Sequence, residues 1–306
     1  MDKIVCCLVL AFVAPVGNSV HATTHDFYKG KTMRIVVGFA AGGGFDTYSR
    51  AIARHIGRHI PGSPTVIVEN MDGAGSRIAA NHLFKVAKPD GLTIANFIGG
   101  ILMDQILERP GAEYDALKFE YLATPLKDNR TCTFTKASGI TSMEKWMASK
   151  TPVKLGGVAP GTGLDDAAKV LKVALALPIH LVSGYKGTSQ VRLAAESGEV
   201  AGACGWSWDS VRATWAKAIE SGDAVVVLQK RPTPHQELPH VPLAMHYAKS
   251  EEARQLIKAG INDPADMNRI YALPPGTPKE RVQMLRRALM DTFKDEIGRA
   301  SCRERV

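Results

Sequence analysis

The feature of this sequence that most constrains its fold is a repeated order of β-branched run, glycine-bearing turn and helical pattern. In the first part of the chain, strands are predicted at 33–39, 65–69 and 92–97. Apolar side chains at helical spacing, including Tyr48 and Ile52, predict a helix after the first turn. Strands alternating with helices are typical of βαβ units on a parallel sheet.

The same order restarts in the second part of the chain. Strands are predicted at 153–158, 179–182, 200–206 and 224–228, and glycine turns and helical patterns lie between the first three. The sequence therefore predicts an α/β protein in which two βαβ lobes face each other across a cleft. No short-period repeat is present.

The two ends of the chain differ from this pattern. Lys3 precedes an apolar stretch at 4–16, and Val20-His21-Ala22 resembles a signal-peptidase site. The stretch is shorter than the roughly 20 residues that span a bilayer. We therefore expect residues 1–22 to be a signal peptide that exports the protein to the periplasm. Residues 296–306 have no apolar periodicity and are interpreted as a non-native tail.

Composition excludes some classes of function. The formal net charge is +8, but the basic residues are scattered and form no nucleic-acid-binding stripe. Two cysteines, Cys132 and Cys204, lie between the proposed signal peptide and the tail. An oxidising periplasm permits them to pair. Two separate buried thiols are an equally good interpretation, because sequence spacing does not show proximity.

Four glycine-rich turns are the candidate ligand-binding elements. Each lies between the end of a predicted strand and the start of a helix, at 41–46, 73–76, 159–163 and 187–189. Unpaired N–H groups at the positive end of a helix dipole attract anions, and glycine lets a ligand approach the backbone closely. One such turn has a purely steric explanation as well, whereas four together favour an anion-binding cleft.

Motifs for other chemistries are absent or incomplete. No P-loop is present, and the turn after the first strand lacks the third glycine of the dinucleotide fingerprint, so we expect no cofactor. His55 and His59 have zinc-ligand spacing but lack the accompanying glutamate, which favours a solvated helix face and no metal site. The adjacent Asp165 and Asp166 are expected at a helix start.

Trp206 and Asp209 follow a predicted strand end and leave two interpretations open. The indoles of Trp206 and Trp208 could form the wall of a site for an apolar or aromatic ligand, with the carboxylate of Asp209 orienting a donor group. Packing in a core or between the lobes is the alternative, since large aromatic side chains mostly serve burial.

The order of these segments resembles the substrate-binding receptors of tripartite tricarboxylate transporters, the Bug family. The opening MRIVVGFAAGGGFD at 33–46, VENMDGAGS at 68–76 and KPDGLT at 88–93 are similar to its first-lobe motifs. YKGT at 185–188 is similar to its second-lobe loop. The later proline segments at 231–232, 238–242 and 275–279 extend the resemblance, which runs from residue 31 to 293.

The resemblance implies a monomeric periplasmic-binding-protein type II architecture, with lobe I at 23–122 plus 228–295 and lobe II at 123–227. It implies capture of a small organic carboxylate for membrane permease subunits, with no enzyme activity. Together with the glycine turns and the aromatic segment, it gives these candidate ligand-binding residues: Ala41, Gly42, Gly43, Gly44, Phe45, Asp46, Gly73, Ala74, Gly75, Ser76, Gly161, Thr162, Gly163, Asp165, Tyr185, Lys186, Gly187, Thr188, Trp206 and Asp209.

Two other classes of function remain open on the sequence. One is a periplasmic hydrolase or isomerase that uses Asp46, Asp165 or a histidine in the cleft. The other is a receptor that presents its closed form to a sensor and not to a permease.

Overall fold

A computed structural model describes residues 27–125, 129–265 and 267–295. The predicted signal peptide at 1–22 and the predicted tail at 296–306 lie outside these described residues. Within the described ranges, no helix combines the length and the hydropathy that a membrane crossing requires.

The first lobe is built on a five-stranded sheet with the order β2-β1-β3-β10-β4. β1 is parallel to both β2 and β3, whereas β10 is antiparallel to β3 and β4. β3 is buried along its whole length, as expected for a strand that helices cover on both faces. The strands are β1 (Thr32–Val37), β2 (Thr65–Asn70), β3 (Thr93–Phe97), β4 (Glu120–Ala123) and β10 (Ile270–Leu273).

The second lobe repeats this arrangement with the strand order β7-β6-β8-β5-β9. β6 is parallel to β7 and β8, and β5 is antiparallel to β8 and β9. The strands are β5 (Arg130–Thr135), β6 (Val153–Gly156), β7 (Ile179–Val182), β8 (Gly202–Ser207) and β9 (Ala224–Lys230). The predicted α/β architecture of two lobes is therefore confirmed.

Helices follow the strands as the apolar spacing predicts. The described helices are α1 (Gly44–Ile56), α2 (Arg77–Lys85), α3 (Gly100–Ile106), α4 (Met143–Met147), α5 (Gly163–Ala174), α6 (Thr188–Glu196), α7 (Trp208–Ser221), α8 (Glu251–Ile257), α9 (Asp263–Ala265) and α10 (Lys279–Lys294). In α1 the buried side chains include Tyr48, Ile52 and Ile56, which lie on one face.

Each lobe has its own hydrophobic core. The first lobe has one continuous cluster that includes Ile35, Phe97 and Tyr271. The second lobe has two clusters, represented by Trp146 and by Trp206. Separate cores allow each lobe to remain folded while the cleft between the lobes changes width.

The boundary between the lobes differs from the predicted one after residue 228. β9 lies in the second sheet up to Lys230. Ala244, Ala253 and Ile261 also pack into a core cluster of the second lobe. The chain returns to the first sheet only at β10. The boundary taken from the family resemblance assigned the segment between β9 and β10 to lobe I. No pattern in the sequence shows which sheet this segment packs against.

Cys132 and Cys204 form a disulfide bond. The two residues are directly paired across the antiparallel strands β5 and β8. Of the two interpretations that the sequence allowed, the structure shows the paired one.

Candidate functional site

A pocket lies between the two lobes and encloses about 520 Å³, part of it open to solvent. The first lobe contributes residues from the start of α1, from the end of β3 and from the segment before β10. The second lobe contributes residues from β5, from the start of α5 and from the end of β8. The lining residues are Phe39, Gly43, Gly44, Phe45, Ile98, Arg130, Val158, Thr162, Gly163, Leu164, Thr188, Gly205, Ser207, Ser210, Asn268 and Arg269.

Four helices direct their N-terminal ends toward this pocket. Gly44, Gly163 and Thr188 are the first residues of α1, α5 and α6, and Ser210 lies in the first turn of α7. All four residues line the pocket. The first N–H groups of a helix have no partner within that helix and carry its positive partial charge. The pocket is therefore a region of positive electrostatic potential.

Arg269 adds a full positive charge to this region. Its side chain is fully buried, and its Nη2 donates a hydrogen bond to Ser210 Oγ at 2.5 Å. The guanidinium carbon lies 4.4 Å from the ring centroid of Tyr48 and 5.5 Å from that of Phe45. Its Nε and Nη1 atoms have no hydrogen-bond partner among the described residues.

Arg130 is the second buried arginine at the pocket. It is 4% exposed, and its Nη2 donates to the carbonyl oxygen of Pro264 at 3.4 Å. Its guanidinium packs over Gly163, where an added Cβ would lie 3.0 Å from the Arg130 Cζ. No aspartate or glutamate is among the described lining residues, so the side chains that line the pocket carry only positive charge.

Six of the predicted ligand-binding residues line the pocket. They are Gly43, Gly44, Phe45, Thr162, Gly163 and Thr188. These residues come from both lobes, and the predicted meeting of the turns from opposite lobes is present in the structure. Their binding role itself stays a prediction.

Residues of the predicted turns also form direct contacts between the lobes. Ser189 Oγ donates to the carbonyl oxygen of Ala41 at 3.0 Å, and Gly44 N donates to Thr188 Oγ1 at 3.3 Å. The Lys186 ammonium lies 3.7 Å from a carboxylate oxygen of Asp72. These contacts connect two segments of lobe I, at 41–44 and at Asp72, to residues 186–189 of lobe II.

The turn at 73–76 meets the second lobe without lining the pocket. An added Cβ on Gly75 would lie 3.1 Å from Thr162 Cγ2. Ser76 is fully buried, and its Oγ accepts a hydrogen bond from Ile98 N at 3.2 Å. Neither Gly73 nor Ala74 is a lining residue. This turn therefore positions Ile98, which does line the pocket.

Asp46 holds the first turn in place and does not line the pocket. Its carboxylate accepts hydrogen bonds from Gly42 N and Arg50 Nε, each at 2.9 Å. Burial acts to raise the pKa of Asp46, but the bonds from Arg50 and Gly42 outweigh it, and the pKa lies below its ordinary value. The side chain is thus a structural acceptor that remains ionised.

Asp165 likewise accepts hydrogen bonds that hold a turn in place, in the second lobe. It is fully buried and accepts hydrogen bonds from Val158 N at 2.6 Å, from Thr162 Oγ1 at 3.0 Å and from the Ser183 hydroxyl. The neighbouring Asp166 accepts a hydrogen bond from Gly161 N at 3.1 Å. The expected helix-start role of the adjacent aspartates is confirmed by these contacts.

A second contact between the lobes lies behind the pocket at Gly161. An added Cβ at this residue would lie 2.6 Å from Arg109 Nη1 and 3.0 Å from Asp104 Oδ1. The buried Asp104 accepts a hydrogen bond from Arg109 at 3.0 Å. Burial raises the pKa of the Asp104 carboxyl above its ordinary value, against the opposing effect of Arg77 and Arg109.

Trp206 and the remaining candidates do not line the pocket. Trp206 is 2% exposed and stacks on Trp215 with the ring centroids 4.9 Å apart, so the packing interpretation holds. Tyr185 donates its hydroxyl to Glu199 at 2.6 Å. Asp209 lies half-buried in the first turn of α7, and Gly187 precedes α6.

Sequence reasoning missed both arginines and the serines at the pocket. Arg130 begins β5, Arg269 immediately precedes β10, and Ser207 ends β8. A single arginine before an apolar strand is the only sequence signal at Arg269, and it does not distinguish this residue from surface arginines.

The histidine pair is remote from this chemistry. An Arg58 nitrogen contacts His55 Nδ1, and His59 Nε2 lies 3.5 Å from a carboxylate oxygen of Asp295. Across the described part of the chain, no group of three or more His, Cys, Asp and Glu side chains is arranged to hold a metal ion.

The fold has counterparts among solved structures. Solved structures with this fold include the periplasmic binding protein BugD, at a TM-score of 0.72 and 20% identity, covering 90% of this chain and 86% of that one. MatC of Rhodopseudomonas palustris with bound malate has a TM-score of 0.71 and 20% identity, covering 89% and 87%. An R. palustris protein with adipate gives 0.68 and 19%, covering 88% and 85%. The chain thus has the two-lobed fold of type II periplasmic binding proteins.

The comparison of sequences also finds a relative. The chain is 25% identical over 304 residues to the UPF0065 protein in the TAR-I ttuE-ttuC' intergenic region of Agrobacterium vitis, covering 91% of this chain and 85% of that protein. No protein-family model matches the chain. The resemblance to the Bug family that the motifs predict is confirmed in fold by the likeness to BugD.

Proposed function

We propose that this protein is a periplasmic receptor of the Bug type, which binds a small organic carboxylate between its lobes and delivers it to permease subunits of a tripartite tricarboxylate-type transporter. The observation that carries the proposal is the pocket between the lobes, which four helix N-termini and two buried arginines surround. A carboxylate matches this potential and offers acceptors to Nε and Nη1 of Arg269, which have no partner among the described residues.

Similar structures support the ligand class and the mode of use. MatC contains malate and another R. palustris protein contains adipate, and both share this fold. A ligand that contacts both lobes stabilises the closed arrangement, because only that arrangement provides both sets of contacts.

Binding without turnover fits the site better than hydrolysis or isomerisation. Asp46 and Asp165, the acids considered for catalysis, hold their own loops and do not line the pocket. No histidine is among the described lining residues. A general acid or base must lie within hydrogen-bond reach of the proton it transfers.

The test is isothermal titration calorimetry of the exported protein with a panel of mono-, di- and tricarboxylates, with matched amides and amines as controls. We expect saturable one-to-one binding of at least one carboxylate and recovery of that compound unchanged after long incubation. Absence of binding across the panel contradicts the proposed receptor role, and chemical conversion of the bound compound supports the enzyme alternative.

A further inference from the structure

We propose that Arg269 determines the charge specificity of the pocket, and that the ligand is a carboxylate attached to a hydrocarbon body. This inference rests on the proposed function and names a residue and a ligand type within it. The guanidinium of Arg269 pairs with the carboxylate, and the apolar lining residues contact the rest of the ligand.

The charge of Arg269 has no counter-charge among the described residues. The residue is fully buried, yet it makes no ion pair with a carboxylate among the described residues. Among the described residues its acceptor is the neutral hydroxyl of Ser210, and its Nε and Nη1 have no hydrogen-bond partner there. A buried charge without a counter-charge is unfavourable, so an anion in the adjoining pocket would relieve that cost.

The guanidinium of Arg269 lies at the starts of two helices. Arg269 Nη2 would lie 3.3 Å from a Cβ placed on Gly44, the first residue of α1. It also bonds to Ser210 in the first turn of α7. A cation at a helix N-terminus opposes the helix dipole, whereas an anion between the cation and both helices interacts favourably with all three.

Two neighbouring aromatic side chains fix the guanidinium of Arg269 in place. It lies over the rings of Tyr48 and Phe45, on the first-lobe side of the pocket. A planar guanidinium held on aromatic faces presents its N–H donors in a fixed direction, which suits carboxylate recognition. The aromatic rings, and no carboxylate of the described residues, therefore orient the donors of Arg269 at the pocket.

The other lining residues are the reason for proposing that the ligand has a hydrocarbon body. Five large apolar side chains line the pocket, two from aromatic and three from aliphatic residues: Phe39, Phe45, Ile98, Val158 and Leu164. Burial of each methylene group against such a surface strengthens binding by about fourfold. A ligand with only charged and hydroxyl groups would leave this surface unmatched.

The test compares acids with their amides, which have nearly the same shape but no charge. The probes are hexanoate, benzoate and adipate beside hexanamide, benzamide and adipamide, titrated into wild-type protein, Arg269→Gln and Arg281→Gln. Arg281 is the matched control, because its guanidinium also lies over an aromatic ring, 3.5 Å from the Phe27 centroid, and it does not line the pocket.

We expect wild-type protein and Arg281→Gln to bind at least one acid 30-fold or more tighter than its amide. In Arg269→Gln this ratio should fall below about threefold. The melting temperature of Arg269→Gln without added acid should equal or exceed that of wild type, because an uncompensated buried charge is removed. From acetate to hexanoate, wild-type affinity should rise at least tenfold.

Each contrary result has a distinct meaning. If the acid-to-amide ratio is unchanged in Arg269→Gln, the inference about Arg269 is wrong and the proposed receptor role stands. If no acid binds wild-type protein, the proposed function fails and the inference with it. If affinity does not rise from acetate to hexanoate, the hydrocarbon-body part is wrong. If Arg269→Gln does not fold, Arg269→Lys takes its place in the test. We expect Arg269→Lys to bind acids at least tenfold more weakly than wild type and to bind amides equally well. Unchanged acid binding by Arg269→Lys overturns the proposal.

Discussion

Gly44 is the residue at which closure of the two lobes can be tested most directly. It begins α1 in the first lobe and faces the start of α7 in the second. A Cβ at Gly44 would lie 1.8 Å from Ser210 Oγ and 2.6 Å from Ser210 Cβ. The hydroxyl can rotate away, but the Ser210 Cβ cannot. Since carbon atoms in contact lie roughly 3.5 Å or more apart, Gly44→Ala forces the lobes about 1 Å apart at this point.

The expected cost applies to the closed arrangement and not to either lobe alone. Overpacking of this size costs about 1–3 kcal/mol. The dissociation constant for the bound carboxylate should therefore rise about 5- to 150-fold, since about 1.4 kcal/mol corresponds to a tenfold change. Gly44 does not have a positive φ, so alanine fits its backbone, and the melting temperature without ligand should stay within a few degrees of wild type.

The assay is titration calorimetry with thermal melts of the same samples, and Ser210→Gly supplies the control. Ser210→Gly alone should weaken binding modestly, because it removes the acceptor for Arg269. Added to Gly44→Ala, it should strengthen binding, because the obstructing side chain is gone. If Gly44→Ala binds as tightly as wild type, ligand binding does not depend on this α1–α7 contact. If Ser210→Gly gives no rescue, the added methyl group obstructs the ligand directly.

Two further predictions concern stability. Asp46→Asn should lower the free energy of unfolding by about 1–3 kcal/mol at pH 7, because it weakens the bonds to Arg50 and Gly42. Because the folded pKa of Asp46 is lowered, the wild-type advantage is present above the unfolded value of about 3.9 and should disappear as pH falls through the folded pKa. Urea titrations at neutral and acid pH measure this, and a difference independent of pH contradicts it. Replacing Cys132 and Cys204 by alanine should cost up to about 4 kcal/mol, since the disulfide closes a loop with a sequence separation of 72. Urea titrations with and without reductant measure that loss, and a reduced wild type as stable as the oxidised form would refute it.

The lobes and their parallel strands could be predicted because the information is local. Apolar runs such as the one in β1 and helical spacing such as that in α1 depend on neighbouring residues. The positions of the antiparallel strands β5 and β10 within the sheets were harder to predict. β10 joins the first sheet between β3 and β4 although most of the chain separates them. Such long-range pairing leaves no periodic signal in the sequence, which is why the lobe boundary after 228 was placed too early.

The candidate site likewise has features that could be predicted from the sequence and features that could not. Glycine turns at strand ends were predictable, because backbone geometry restricts these positions to few residue types. Their neighbouring carboxylates were misleading. Asp46 and Asp165 look available for chemistry in the sequence, but each satisfies backbone N–H groups of its own loop. The disulfide stayed open because only the pairing of β5 with β8 brings Cys132 opposite Cys204.

The buried arginines show why the sequence could not supply the specificity of the site. Arg269 is one of 38 basic residues, and the charge alone distinguishes none of them. What sets it apart is that folding removes it from water and places it on Tyr48 and Phe45 beside two helix starts, where its Nε and Nη1 have no partner among the described residues. These conditions come from four separate chain segments, and each is ordinary by itself. A folded protein tolerates such an arrangement where an anionic ligand repays the electrostatic cost, so the uncompensated charge at the pocket is the physical basis for expecting an acid and not its amide to bind there.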